Sequence, residues 1–249
     1  MWKNMSKDYM GTIKRFKGDK AQWKRLIKDY DIHKWVCGIE KKNGYWHLQI
    51  RIRMRDSPDP FEVLKYYFPD GHFEPCSDKW NYEKKDGRYW CGDDTVENRK
   101  MRFGKPFGWQ NMCLDWLKMG NDRTIKVIAN EQGGIGKSWL TGHLWEKGKA
   151  HVVQAQNTAK GLIQDCASEF IDNGWRPIVI IDIPRTWKWT DDIYVAIERI
   201  KDGIIKDTRY GSRTINIHGV IVLVMCNTAP DKRKLSSDRW DIWELNCCV

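Results

Sequence analysis

No stretch of this 249-residue chain is long and apolar enough to span a membrane: the longest, Gly219 to Cys226, falls far short of the roughly 20 residues a span needs. The 8 cysteines, at 37, 76, 91, 113, 166, 226, 247 and 248, form no C-x-x-C pair and no partnered Cys/His array, which argues against structural zinc. The opening residues show no secretory signal pattern, so the thiols are expected to be reduced and the protein intracellular. Acid is the scarcer charge, 33 Asp plus Glu against 43 Lys plus Arg, for a formal charge of +10. With 15 Trp interleaved, that balance fits nucleic acid better than a small neutral substrate, although many of the tryptophans must be core. The length allows one large or two modest domains, each with a sizeable core.

Trp35 to Glu40 and Tyr45 to Arg53 both alternate in polarity, and Asn43-Gly44 between them is a hairpin turn signal. A two-residue turn sets Glu40 opposite His47, Gly38 opposite Gln49, Ile39 opposite Leu48, Cys37 opposite Ile50 and Trp35 opposite Ile52. Each face is then chemically uniform. One carries the apolar residues; the other carries Glu40, His47, Gln49, Arg51, Arg53 and Arg55. Opposed Cβ atoms lie about 4.5–5.5 Å apart, so a carboxylate, an imidazole and an amide oxygen meet at a point that Gly38 leaves uncrowded. Such a donor set suits Mg²⁺ or Mn²⁺, with Arg51 and Arg53 expected to hold a phosphate backbone beside it. The plainer reading is a solvated charged face.

Around this hairpin, a strand is expected over Tyr9 to Phe16 and helices over Lys20 to Tyr30 and Pro58 to Phe68, an α+β arrangement with an antiparallel sheet. Farther on, Ser77 or Asp78 is expected to cap a short helix that Gly87 ends, leaving Tyr82 and Lys85 at i and i+3 on one face. A phenol near pKa 10 is a poor nucleophile at neutral pH, and an adjacent ammonium and metal ion favour its phenolate. The alternative is an exposed tyrosine on a charged helix.

The second half begins with Ile125 to Ser138, an apolar strand running into a glycine-rich loop. Gly133, Gly134 and Gly136 would let backbone N–H groups surround phosphates, with Lys137 reaching the β/γ oxygens and Ser138 the Mg²⁺ of bound ATP. The strict pattern has Gly at 131, where this chain has Glu131. Two further apolar runs end in Asp182 and Asn227, with the interval from Lys137 to Asp182 equal to that from Asp182 to Asn227, and imply a parallel sheet carrying its site at the carboxyl ends. Between them, Lys206, Arg209, Tyr210 and Arg213 look like a loop that grips single-stranded backbone while a ring stacks on a base, or else like a solvated basic turn. The polar, glycine-containing stretch 92–108 reads as a linker, followed by a small helix over Gln110 to Leu117.

Glu40, His47-Leu48-Gln49 and Tyr82-x-x-Lys85, in that order, resemble the HUH-type endonuclease of replication initiators (Rep) of circular single-stranded DNA viruses. His-x-Gln matches the circovirus, nanovirus and smacovirus form. Lys137, Asp182 and Asn227 resemble a superfamily 3 helicase, and Asp182-Ile183-Pro184-Arg185 looks like the nanovirus and smacovirus versions. The resemblance implies an HUH endonuclease domain at 1–95, a linker and helical oligomerisation segment at 96–118, and a P-loop helicase ATPase at 119–249. It further implies an ion held by Glu40, His47 and Gln49, attack by Tyr82 on a single-stranded origin stem-loop with retention of the 5′ end, and a DNA-translocating hairpin near Lys206 to Arg213. Arg239, or alternatively Arg233, would be an arginine finger acting on a neighbouring subunit in a homo-oligomer, a hexamer in this family. Working with the host polymerase, and in the nucleus of a eukaryotic host, follows from the family too. Ile183 stands where many relatives carry a second acid, so the base that activates water is unassigned, with Asp191, Asp192 and Glu198 as candidates. Two other readings remain: a P-loop ATPase that binds nucleic acid without cutting it, and an RNA helicase.

Overall fold

The computed structural model describes residues 6–55, 58–77, 80–209 and 211–245, and the chain divides into two units, Met1–Arg102 and Phe103–Val249. The first unit contains β1 (Ser6–Lys14), α1 (Asp19–Asp29), β2 (Trp35–Lys42), β3 (Tyr45–Arg55), α2 (Pro60–Tyr67), β4 (His72–Pro75) and β5 (Tyr89–Cys91). Its strands form one antiparallel sheet in the order β4-β1-β3-β2-β5. At the hairpin, Asn43 and Gly44 take φ of 50° and 84°, the two positive values a twisted two-residue turn requires. The register is the expected one, with Glu40 opposite His47, Gly38 opposite Gln49 and Trp35 opposite Ile52.

The apolar face of β2 and β3 buries Cys37, Leu48, Ile50 and Ile52 against Trp23 and Leu26 of α1, Leu64 of α2 and Phe68 at the end of α2. Asp59 caps α2 by accepting from Phe61 N at 2.8 Å, with Pro60 in the first turn. On the polar face, the expected helix around Tyr82 is a single 3-10 turn, Tyr82–Lys84, and Asp78, one of its two expected caps, lies outside the described residues. Gly38 has a role that its position opposite Gln49 did not suggest. A Cβ there would collide with the carbonyl oxygen of Glu83, so glycine lets the turn bearing Tyr82 lie directly on β2.

The stretch 92–108 is not a plain linker, because α3 (Val96–Phe103) occupies part of it. Thr95 accepts from Asn98 N at 3.0 Å, and Arg102, 1% exposed, binds Asp94 at 2.6 and 2.8 Å and the Tyr89 carbonyl at 3.0 Å. Charged residues satisfied by each other make buried structure that composition alone reads as solvated.

In the second unit α4 (Gly108–Lys118), β6 (Ile125–Ala129), α5 (Lys137–Glu146), β7 (Ala150–Gln154), α6 (Ala159–Asn173), β8 (Ile178–Asp182), α7 (Asp191–Asp202), β9 (Ile204–Asp207), β10 (Arg213–Asn216), β11 (Ile221–Cys226) and β12 (Trp240–Glu244) follow in order. Five strands form an all-parallel sheet, β12-β6-β11-β8-β7, and β9 and β10 pair separately as a hairpin. Residues of α4 and α5 pack on one sheet face with Ile128, Ile180 and Met225, while α6 and α7 cover the other with Val127, Ile181 and Val224. A sheet covered on both faces explains the near-continuous apolar strands. Among the described residues no helix is long and apolar enough to cross a membrane, and the six described cysteines are free. Burial pushes the thiols of Cys37, Cys113 and Cys226 up to about 12.

Gly38→Ala should lower stability by about 1–3 kcal/mol through overpacking against the Tyr82 turn, measured by urea unfolding. A change near zero would show that the turn does not rest on β2.

Candidate functional site

In the first unit the strand register brings Glu40 and His47 to one place, with the imidazole Nε2 3.6 Å from Glu40 Oε2. Lys85 Nζ reaches the same carboxylate oxygen at 3.0 Å and lies 3.6 Å from the centroid of the Tyr82 ring, which is 53% exposed. Tyr82 and Lys85 therefore meet as the i, i+3 spacing suggested, although in a 3-10 turn, and Glu40 joins them from β2. Burial lowers the Lys85 pKa, but hydrogen bonds with Tyr82 and Glu40 outweigh it and leave the ammonium above its ordinary value. Gln49, opposite Gly38, accepts at Oε1 from Thr12 Oγ1 at 2.9 Å, and Thr12 faces it from β1. Glu40 Oε1 is buried without a hydrogen-bond partner. An unpaired carboxylate oxygen in such a place is costly, and a hard cation would satisfy it. Among the described residues no group of three or more His, Cys, Asp or Glu side chains is arranged to hold a metal, so an ion at this place would need the amide oxygen of Gln49 as a third donor. The set of carboxylate, imidazole and amide oxygen fits Mg²⁺ or Mn²⁺ better than zinc.

Two arginines on this face differ from expectation. Arg51 is 4% exposed and does not face solvent. Its Nε lies 3.1 and 3.0 Å from the two oxygens of Glu83, itself 1% exposed, and its Nη1 donates to the Ser77 carbonyl and approaches Cys76 Sγ at 3.2 Å. It anchors the residue after Tyr82 instead of gripping DNA. Arg53 makes a two-pronged pair with Asp8 at 2.6 and 2.8 Å and stands over the Trp80 ring, so it is also tied to the protein.

In the second unit the residues after β6, β8 and β11 adjoin at the carboxyl end of three neighbouring strands. Gly133, Gly134 and Gly136 have φ of 76°, 73° and 86°, values that disfavour any side chain. Gly136 caps α5, and Lys137 Nζ donates to Cys226 O at 2.8 Å and Asn130 O at 3.3 Å. Asn227 Nδ2 donates to the same Asn130 carbonyl at 2.9 Å, and Asn130 Oδ1 accepts from Gly133 N at 2.7 Å. Position 131 has no positive φ, so Glu131 meets no conformational need for glycine, and its side chain is exposed. Burial pushes Asp182 above the usual carboxylate range against the pull of Lys137. Lys137 is held below the ordinary lysine range by burial and then by Arg185, with Cys226 and Asp182 opposing. Ser138 is exposed at the start of α5.

The remaining predicted residues divide. Lys206 and Arg213 are exposed on the β9–β10 hairpin, while Tyr210 lies outside the described residues. Arg209 folds back on Asp207 at 3.1 Å and on Ser168 of α6, holding the Asp207 carboxyl at about 2 chiefly by its hydrogen bond. Arg239 is 8% exposed and binds Asp202 of α7 at 2.8 Å, with Glu198 at 3.7 Å, so it is not presented to a neighbouring subunit as a finger must be. Arg233 is the outward one, its side chain 90% exposed and paired with Asp231 at 2.9 Å. Of the candidate bases, Asp192 accepts from Ala159 N at 2.8 Å and Asp191 pairs with Lys234 at 2.7 Å.

No family model matches the sequence. Para-Rep C7 of Faba bean necrotic yellows C7 alphasatellite is 34% identical over 217 residues, covering 86% of this chain and 68% of its own. This chain belongs to the Rep family of circular single-stranded DNA viruses. Para-Rep C1 of Milk vetch dwarf C1 alphasatellite is 26% identical over 206 residues, 82% of this chain and 66% of its own, and Para-Rep C10 of Milk vetch dwarf C10 alphasatellite is 35% identical over 135 residues, 53% and 45%. The Rep chain thus spans about two thirds of the length of the first two relatives. A formyltetrahydrofolate deformylase from Pseudomonas putida KT2440 aligns at 10% identity over 92% of this chain and 52% of its own, but with a TM-score of 0.22 it carries no argument.

Three polar residues of this Rep chain have roles that the sequence did not assign. Thr12 was hidden because its contact with Gln49 needs the β1–β3 register. Asn130, 2% exposed, braces the glycine loop, and its position directly after an apolar strand was the available signal. Arg185 donates to the carbonyls of Glu131 and Gln132, the latter at 2.9 Å, and closes the loop from outside.

Arg51→Met, which strands Glu83, should cost about 3–5 kcal/mol of stability, read from denaturant unfolding. A surface arginine that only contacts phosphate would change it by less than about 0.5 kcal/mol.

Proposed function

We propose that this Rep-family chain is a rolling-circle replication initiator, which nicks and rejoins single-stranded DNA at a viral origin and unwinds DNA with ATP. The observation that carries the reading is the junction of Lys85 with both Glu40 and Tyr82, next to a buried carboxylate oxygen that lacks a partner. In the proposed step the Tyr82 oxygen attacks the phosphorus of a single-stranded origin stem-loop. The bond to the 3′ oxygen breaks, that oxygen leaves as a hydroxyl, and the 5′ phosphate stays on the tyrosine. Rejoining is the reverse, with the 3′ hydroxyl as attacking group. Lys85 keeps its proton because its pKa is raised, so its charge stabilises the phenolate and adjoining phosphate oxygens. Glu40, His47 and Gln49 would hold Mg²⁺ or Mn²⁺, which when bound supplies charge stabilisation to the phosphate. Thr12 orients the amide of Gln49, and the Arg51–Glu83 pair fixes the turn bearing Tyr82.

The second unit is proposed to bind ATP and drive the unwinding. The loop and the adjoining end of β8 present an ammonium and a carboxylate each pushed toward its neutral form by burial. A triphosphate near Lys137 and a divalent ion near Asp182 and Ser138 would relieve both, with Asn227 beside them. Lys206 and Arg213 are the exposed hairpin cations available to a DNA backbone. Action as a homo-oligomer, a hexamer in related helicases, handing the 3′ hydroxyl to a host polymerase inside the host cell, and in the nucleus of a eukaryotic host, belongs to the same reading.

The deciding experiment mixes the protein with labelled single-stranded origin DNA and Mn²⁺ and looks for an adduct that survives denaturation. The adduct is expected with the unaltered chain and lost with Tyr82→Phe. Binding and ATP hydrolysis without any adduct would favour a nucleic-acid-binding ATPase. Lys137→Ala should remove ATP hydrolysis and leave the adduct. Loss of both would show that the two activities are not separable in this way.

A further inference from the structure

At the turn end of the β2–β3 hairpin lies a concavity of about 580 Å³ that the proposed chemistry does not use, lined by Arg15, Phe16, Lys17, Ile39, Trp46 and Arg88. Its makeup is unusual for a surface hollow: two large rings, 44% exposed at Phe16 and 41% at Trp46, surrounded by cations with no acid in the wall. The Arg88 guanidinium and Lys41 ammonium flank the Trp46 ring at 5.5 and 5.7 Å from its centroid. Arg15 is neutralised by Asp19, but among the described residues Lys17, Lys41 and Arg88 have no carboxylate partner. Exposed rings among uncompensated cations match a base and its phosphate. Duplex DNA keeps its base faces stacked inside and has nothing to offer the rings.

The backbone holds this hollow close to the candidate nuclease site. Ile39 and Trp46 are the chain neighbours of Glu40 and His47 and lie on the opposite face of the sheet, because side chains alternate. Two hydrogen bonds fix the walls: Arg15 N donates to Trp46 O at 3.2 Å, and Ile39 N to Arg88 O at 2.7 Å. A strand crossing the Glu40–Tyr82 side can pass the end of the sheet, where β1 stops at Lys14 and β3 begins at Tyr45. We propose that the Phe16–Trp46–Arg88 hollow is a subsite for one unpaired base of the DNA strand and its adjoining phosphate. The proposal rests on the reading of this chain as an initiator acting on single-stranded DNA.

The test uses the full chain and fluorescence anisotropy with a labelled single-stranded oligodeoxynucleotide of mixed sequence, and with the same sequence as a duplex, in EDTA so that no cleavage occurs. Trp46→Ala should weaken single-strand binding by about tenfold, the scale of one stacked base, with little effect on the duplex. Trp46→Phe, which keeps a ring in this half-exposed position, should retain most of the affinity. Arg88→Gln should reduce the salt dependence of single-strand binding by the slope of one phosphate, about 0.7. Unchanged single-strand affinity in Trp46→Ala, or equal loss for single strand and duplex, would overturn the subsite. Trp46-dependent binding in a protein that never forms a Tyr82 adduct would support the subsite and count against the nuclease instead.

Discussion

The ion pair between Arg51 and Glu83 holds the first unit's candidate site together. Arg51 sits on the central strand two residues after Gln49, and Glu83 follows Tyr82 in a single 3-10 turn. A turn that short has too few hydrogen bonds to stand alone. It stays in place because a buried guanidinium grips its carboxylate and because Gly38 lets its backbone lie on β2. Both charges are nearly inaccessible, so neither can leave without stranding the other. The distance from Lys85 to Glu40, and of both to the phenol, depends on that junction.

The second unit uses a comparable device. Three positive-φ glycines make a loop that would be loose by itself, and Asn130, Asn227 and Arg185 brace it through backbone carbonyls and an amide. Lys137 likewise rests on carbonyl oxygens, not on a carboxylate. In both units a short turn or loop carries part of the candidate site, Tyr82 and Lys85 in one and Lys137 in the other, and polar side chains from the sheet or its edge hold it in place.

How far the sequence could be read depended on the range of the interaction. The β2–β3 register was legible because a two-residue turn and a period of two leave one solution, and Glu40, His47 and Gln49 followed from it. The three apolar strands ending near Lys137, Asp182 and Asn227 were legible because a sheet buried on both faces needs continuous hydrophobic runs. Arg51, Arg53, Arg209 and Arg239 were misread for one shared reason. A cation on a polar face looks the same in sequence whether it meets solvent or a carboxylate of the same protein, and here the partners are Glu83, Asp8 and Asp202, all distant in the chain, and for Arg209 the nearby Asp207. Stretch 92–108 was read as a linker because Arg102 and Asp94 satisfy each other within it.

The sequence by itself determined local matters: turn type, strand periodicity, the glycines of the loop and the order of the candidate site residues. These depend on backbone sterics and neighbours within a few positions. Only the tertiary structure decided which charges face outward, which carboxylate oxygen is left without a partner, and what Gly38 is for. Those outcomes are set by residues distant in the chain competing for the same buried space, where an unpaired polar group is costly enough to dictate its neighbour.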